Sequence, residues 1–380
     1  MILNENVDRK IIPVAGGKGG VGKSVLAANM ALSLAMFGKK TVLVDLDLGA
    51  SNLHTMLGIK NVHTGVGNFL SGGRYRFDSL LVDTPWENLQ FIPGDVLVYG
   101  MAELTKARKS KVTGGLLELP ADYVIVDLGA GNNFTVVDFF LVSNSGLVVT
   151  VPQATAIMNA YAFLKNTVFR FLQRAFASNK AVTSYLRKIL KEPRPGARLS
   201  VSEMIDTLAE SDPVAAEKAE VFLEVLQPKL VINKTGSPDD ITLAEGLRNL
   251  CRKNLKLELE CLGTVMMDPV VDDSIDDGRP YVLDYPDALI SEEVHRMSQK
   301  IIQSRRFPEM PLELDYYADS FELAHIEVEN DLAQLQSSEN DGRLGPSADD
   351  VDKLMEIISL QQEKINELQG TLRMLTINRG

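Results

Sequence analysis

Residues 11–24 read Ile-Ile-Pro-Val-Ala-Gly-Gly-Lys-Gly-Gly-Val-Gly-Lys-Ser, an apolar run that breaks into a glycine-rich loop. From Gly17 to Ser24 the loop has the form G-x-x-x-x-G-K-S, whose backbone N–H groups turn inward around a phosphate chain. Gly17 and Gly22 permit the tight backbone. Lys23 brings a point charge to the β- and γ-phosphates, and Ser24 offers its hydroxyl to Mg²⁺. Such a loop needs a strand before it and a helix after it, so that the helix dipole also faces the anion. Residues 11–15 supply the strand. Residues 24–37 (SVLAANMALSLAMF) supply the helix, with Gly38 as its stop signal. Pro13 cannot donate to a ladder, so the strand is expected to be short or to leave that position without a partner.

Outward from this unit, short apolar runs recur at Thr41–Asp45, Leu89–Ile92, Tyr123–Asp127, Leu147–Val151, Lys229–Ile232 and Leu262–Met266, with helical stretches between most of them. The runs are near-continuously apolar rather than alternating, as in strands covered on both faces. The expected fold is α/β: a mainly parallel, doubly wound sheet with helices on both faces.

Two of these strands end in carboxylates, where ligands bind in open α/β sheets. The second strand runs into Asp45-Leu46-Asp47-Leu48-Gly49-Ala50-Ser51-Asn52, so one carboxylate can reach a Mg²⁺ shell and the other can orient a water. The stretch DYVIVDLGAG (122–131) is an apolar strand ending in Asp127, the expected carboxylate partner of Mg²⁺ beside a phosphate loop. Gly129 and Gly131 let the following backbone approach a γ-phosphate and move when it leaves.

The chain has 380 residues, 51 acidic and 39 basic, for a formal net charge of −12, which argues against bulk attraction to nucleic acid or anionic lipid. Any such contact needs a local patch. Nine cations between Lys165 and Arg198 (Lys165, Arg170, Arg174, Lys180, Arg187, Lys188, Lys191, Arg194, Arg198) provide one, against the single acid Glu192. The stretch reads either as a non-specific DNA or acidic-protein contact or as a solvated helical face. After it, Ser200 and Glu203 form a capping box, and Asp212-Pro213 a cap followed by proline at the first helical position. Only two cysteines, Cys251 and Cys261, are present and no C-x-x-C occurs, which disfavours a zinc or iron–sulfur site within the chain and suits a reducing cytoplasm. The polar N-terminus is unlike a signal peptide, and the longest apolar stretch, 25–37, is too short to span a bilayer, so a membrane role is not expected.

The character changes near residue 308. Residues 309–349 read as an acidic helix and a flexible linker. Residues 350–380 carry a heptad in Val351, Leu354, Ile358, Ile365, Leu368, Leu372 and Leu375, with Gln361 at one core position, so this segment is a coiled coil or a helix packed on the globular domain.

With Lys18 inside the loop, KGGVGKS resembles the deviant Walker A of the MinD/ParA class of P-loop ATPases. DLDLGASNLHTMLG, DLGAG and VPQATAIMNAYAFLKN (151–166) look most like its MinD and FlhG branch, over about residues 10–305. The resemblance implies slow, Mg²⁺-dependent ATP hydrolysis in a cytoplasmic, ATP-dependent homodimer that positions or regulates a cellular structure (flagellum, division site, nucleoid or other cargo) through an activating or cargo protein, with recruitment to a pole or the nucleoid. Lys18 would cross the dimer interface to the partner's phosphates. Gly17, Gly19, Gly20, Val21, Gly22, Lys23 and Ser24 would wrap the ATP. Asp47 would position the attacking water, with Asn52 in the same switch and Gly131 in the second. Asp127, Ser24 and Asp45 would form the metal set, and Asn233 would read the adenine edge. Met266 stands where the family usually has a proline against the adenine. Two other readings stay open: a scaffold ATPase delivering metal clusters, which wants interfacial cysteines, and a P-loop small-molecule ligase.

Overall fold

The computed structural model describes residues 9–48, 51–60, 64–71, 75–94, 104–177, 179, 182–186, 200–304 and 328. The chain divides into two compact units, Met1–Glu327 and Val328–Gly380. Of the second unit only Val328 is described, so the heptad and the acidic segment before it lie outside the described residues, as do the six cations from Lys180 to Arg198.

Among the described residues the first unit has eight strands: β1 Lys10–Ala15, β2 Thr41–Leu46, β3 Val82–Asp83, β4 Leu89–Ile92, β5 Tyr123–Leu128, β6 Leu147–Thr150, β7 Lys229–Thr235 and β8 Glu260–Met266. The helices are α1 Lys23–Met36, α2 Leu53–Met56, α3 Val66–Leu70, α4 Lys106–Glu118, α5 Phe134–Phe140, α6 Ala154–Ala175, α7 Val201–Ser211, α8 Pro213–Val225, α9 Asp239–Leu255, α10 Val270–Asp277, α11 Tyr281–Asp284 and α12 Leu289–Gln303. The sheet order is β3-β4-β2-β5-β1-β6-β7-β8, parallel except for the antiparallel edge pair β3–β4. The chain winds outward from β1 to one side, returns through β5, and then builds β6 to β8 on the other. The reversal lies at β1, where a doubly wound sheet opens its ligand crevice.

β1 starts one residue earlier than the apolar run suggests, and Pro13 lies inside it. It is tolerated because the β1–β6 ladder begins only at Val14, so that flank has no rung at Pro13. β7 runs past Ile232 through Asn233 to Thr235, carrying the Asn233 side chain to the carboxyl end of the sheet. β3 has only two residues, too short to leave an apolar run in the sequence.

α1 is buried nearly all round, as its unbroken apolar sequence demands. It lies between the sheet and α12 and ends in a Schellman motif: the Gly38 N–H donates to Ala35 and the Lys39 N–H to Leu34. Buried Asn29 in α1 accepts from the Val282 N–H (3.1 Å) and donates to the Val25 carbonyl (2.9 Å), tying α1 to α11 without an unpaired amide. The Ser200–Glu203 capping box opens α7, and Asp212 with Pro213 opens α8.

The basic stretch is not a uniformly unpaired face. Arg170 (2.5 Å) and Arg174 (2.9 Å) both bind buried Asp138 of α5, and Lys109 of α4 joins them. Burial raises the Asp138 carboxyl, but hydrogen bonds from Arg170 and Lys109 and the charge of Arg174 hold it below the usual carboxylate range. Asp138→Ala should cost about 1–2 kcal/mol in a denaturant titration. That is less than a fully buried pair because the two arginines are 30% and 43% exposed and can rehydrate.

Candidate nucleotide-binding site

The strand register assembles the site. Val14 of β1 pairs with Asp127 of β5, which pairs with Asp45 of β2, so the start of the phosphate loop and both carboxylates sit in one row across three adjacent strands. Asp45 and Asp127 are both buried.

Their surroundings differ. Asp45 accepts from the Ser51 hydroxyl (2.7 Å) and from the Asp47 N–H (3.0 Å). Burial raises its carboxyl to about 6 against the lowering effect of those bonds. Both oxygens of Asp127 are buried without a hydrogen-bond partner of good geometry. Burial raises Asp127 to about 7, opposed by the Lys23 ammonium and by the nearby Ser24 hydroxyl, and assisted by Asp45. Buried polar oxygens with no partner are rare and call for a cation or a donor. Asp127, with Ser24 at the head of α1, therefore suits a hard cation such as Mg²⁺, which takes oxygen ligands.

The two lysines of the loop are placed differently. Lys23 is buried and acts on Asp127. Lys18 is exposed, with no hydrogen bond or ion pair among the described residues.

Gly17 and Gly22 are set by close approach. A Cβ on Gly17 would lie 2.2 Å from the Asn159 carbonyl of α6. Gly22 caps α1 at φ +84°, and a Cβ there would meet the Asn233 Nδ2 at 2.1 Å. Asn233 Nδ2 donates to the Val21 carbonyl (2.9 Å), and its Oδ1 accepts from the Lys234 N–H (2.9 Å). Gly22→Ala should therefore displace Asn233 and strain the turn by about 1–2 kcal/mol. Titration with a fluorescent ATP analogue should show affinity falling by roughly tenfold or more.

Asp47, Gly129 and Gly131 also converge. A Cβ on Gly129 would sit 3.1 Å from Asp47 Oδ1, so Asp47 lies against the backbone after β5. The Gly131 N–H donates to the Gly16 carbonyl (3.3 Å), linking that segment to the phosphate loop. Asn52 is exposed at the N-cap of α2. Gly19, Gly20 and Val21 form the loop between the two lysines, with Val21 buried.

Three participants escaped the sequence reading. Ser51, which holds Asp45, follows it by six residues in the motif already singled out. Asn159 acts through its backbone and leaves no residue-type signal. Glu293, buried on α12, accepts from the Met266 N–H (2.9 Å), a donor that a proline at that position would lack.

The CobQ/CobB/MinD/ParA nucleotide binding domain matches residues 12–281. The chain belongs to this family. Among relatives, it is 36% identical over 160 residues to the flagellum site-determining protein YlxH of Helicobacter pylori, covering 41% of this chain and 53% of that one. It is 32% identical over 161 residues to a putative septum site-determining protein MinD of Oltmannsiellopsis viridis, covering 42% and 50%. It is 30% identical over 158 residues to the antiactivator FleN of Pseudomonas aeruginosa, covering 41% and 55%. The matches thus span about half the length of these relatives. The fold is that of the septum site-determining protein MinD of Pyrococcus horikoshii, solved with Mg-ADP (TM-score 0.53, 19% identity, 78% of this chain and 100% of that one). It is equally that of an Aquifex aeolicus MinC:MinD complex (TM-score 0.51, 20% identity, 79% and 99%). Among the described residues no helix is long and apolar enough to cross a membrane.

Proposed function

We propose that this MinD/ParA-type protein binds ATP between two copies of itself, hydrolyses it slowly, and uses the cycle to position or regulate a cellular structure through a partner. One observation carries the reading: a single loop holds a buried lysine beside Asp127 and an exposed one at Lys18, unpartnered among the described residues. The buried lysine serves the phosphates of its own chain. The exposed one suits phosphates held by another, since two facing polyphosphates repel unless cations stand between them.

Each remaining residue takes a role on the same reading. Ser24 and Asp127 would hold Mg²⁺, with the charge of Asp45 behind them. The ion would supply neutralisation of phosphate charge and orientation of the γ-phosphate. Asp47 orients a water between the first switch and Gly129. Gly131 reports the γ-phosphate to the segment leading into α5. Asn233 keeps one N–H and one lone pair beyond its contacts with Val21 and Lys234, and these are offered to the adenine edge. Relatives named for septum and flagellum sites, and one solved with MinC, support a positioning role exercised through a protein partner. Cluster delivery is disfavoured, because Cys251 and Cys261 are buried and burial pushes the Cys251 thiol up to about 12.

The test is the molecular mass of the full chain in ATP and in ADP. A nucleotide-independent mass would reject the switch.

A further inference from the structure

We propose that the cleft between α4 and α6 is a docking site for an acidic, apolar-flanked segment of a partner protein. The cleft encloses about 730 Å³ and lies away from the phosphate loop. Arg170 is eleven residues along α6 from Asn159, whose backbone packs on Gly17, which places it roughly 16 Å away along the helix axis.

The charge of the cleft runs against that of the molecule. Lys106, Lys109, Arg170 and Arg174 line it with one carboxylate, Asp138, a net of +3 in a chain whose net charge is −12. Asp138 is shared by three of these cations and cannot neutralise them. Lys106 is exposed, and the Arg174 side chain keeps 43% of its surface open. Burial lowers the Arg174 guanidinium, Asp138 opposes that, and the neighbouring Arg170 adds a smaller lowering. Arginine forks of this kind match carboxylates in planar, two-pronged geometry.

The walls say what accompanies the charge. Leu117, 54% exposed, faces the cleft with Leu141, Val142 and Ala177, so an apolar residue beside the acid finds a surface to cover. Duplex DNA fits less well. Its phosphates lie on a convex ridge, whereas Lys109 and Arg170 are part-buried at the base of a concavity, and the overall negative charge opposes a polyanion at longer range.

The cleft is also mechanically joined to the nucleotide site. Asp138 sits on α5, which is capped by Asn133 two residues after Gly131. The Arg170 guanidinium lies over the Phe134 ring at the first turn of that helix, 5.7 Å from its centroid. An occupant that draws Arg170 and Arg174 away from Asp138 therefore acts on the helix that follows the second switch.

The experiment is fluorescence anisotropy on the full chain without nucleotide, so its outcome is independent of the ATP-switch reading. The probe is a short fluorescein-labelled peptide of alternating glutamate and leucine. Lysine–leucine peptide and mixed-sequence duplex DNA are run in parallel. The glutamate–leucine peptide should bind, and the Lys106→Glu, Arg174→Gln double variant should weaken it about tenfold or more. Lys106→Glu alone, at an exposed position that cannot unfold the core, should weaken it roughly threefold. Absence of glutamate–leucine binding, binding unchanged in both variants, equal binding of the lysine peptide, or duplex binding that the same substitutions abolish would each overturn the proposal.

Discussion

Asp127→Asn is expected to make the metal-free protein more stable at pH 8 while removing the Mg²⁺-dependent part of nucleotide binding. The Asp127 carboxyl is buried with neither oxygen in a hydrogen bond of good geometry among the described residues, and burial raises it to about 7 from 3.8. Each unit of such a rise corresponds to about 1.4 kcal/mol of preference for the neutral form. An uncharged amide should therefore gain roughly 2–4 kcal/mol at pH 8, a figure in which the opposing charge of Lys23 is already counted. The sign in pH follows from linkage. The folded-state value lies above the unfolded one, so the stabilisation by protonated Asp127 is complete below about pH 4 and is lost as pH rises through 7. Asp45, raised to about 6, adds in the same direction. Denaturant titrations of metal-free wild type should show stability falling from pH 5 to pH 8, with a shallower fall in the Asn variant. Saturating Mg²⁺ and nucleotide should invert the ranking, because the wild type gains binding free energy that the variant has lost. A variant less stable than wild type without metal would mean that Asp127 is structurally paired and the metal assignment is wrong.

The same residues explain which parts of the molecule were legible in the sequence. The sheet was, because parallel strands covered on both faces must be apolar along their whole length, and seven such runs, counting residues 11–15, mark seven strands to within a few residues. The phosphate loop was, because its chemistry is tied to glycine and lysine at set spacings. β3 was not, since a two-residue edge strand carries no periodicity. The contacts that position the loop were also hidden. Asn159 acts through its carbonyl, and Asn233 reaches Val21 across 212 positions of sequence, so neither leaves a local pattern. The basic stretch misled in part. Charge on a helix reads as surface charge, but Arg170 and Arg174 have a partner 32 and 36 positions upstream that only the packing of α5 on α6 reveals.

Lys18→Ala is the substitution expected to separate nucleotide binding from its consequences. Lys18 is exposed and unpaired among the described residues, so its removal leaves no buried group uncompensated and should cost the fold under about 0.5 kcal/mol. The buried Lys23 remains to hold the phosphates of its own chain, so ATP affinity should stay within roughly threefold of wild type. The ATP-dependent dimer should be lost: mass photometry in ATP should report wild type as a dimer and the variant as a monomer. Hydrolysis should fall with it, by about 100-fold or more, since a cation placed across the interface on developing phosphate charge contributes on the order of 3 kcal/mol or above. Lys23→Ala gives the contrasting result, with nucleotide binding itself abolished. If Lys18→Ala dimerises in ATP as wild type does, the exposed lysine does not bridge subunits. A dimer that forms equally without nucleotide would move the assembly role to the heptad beginning at Val351, leaving the phosphate loop as a site that binds ATP without controlling association.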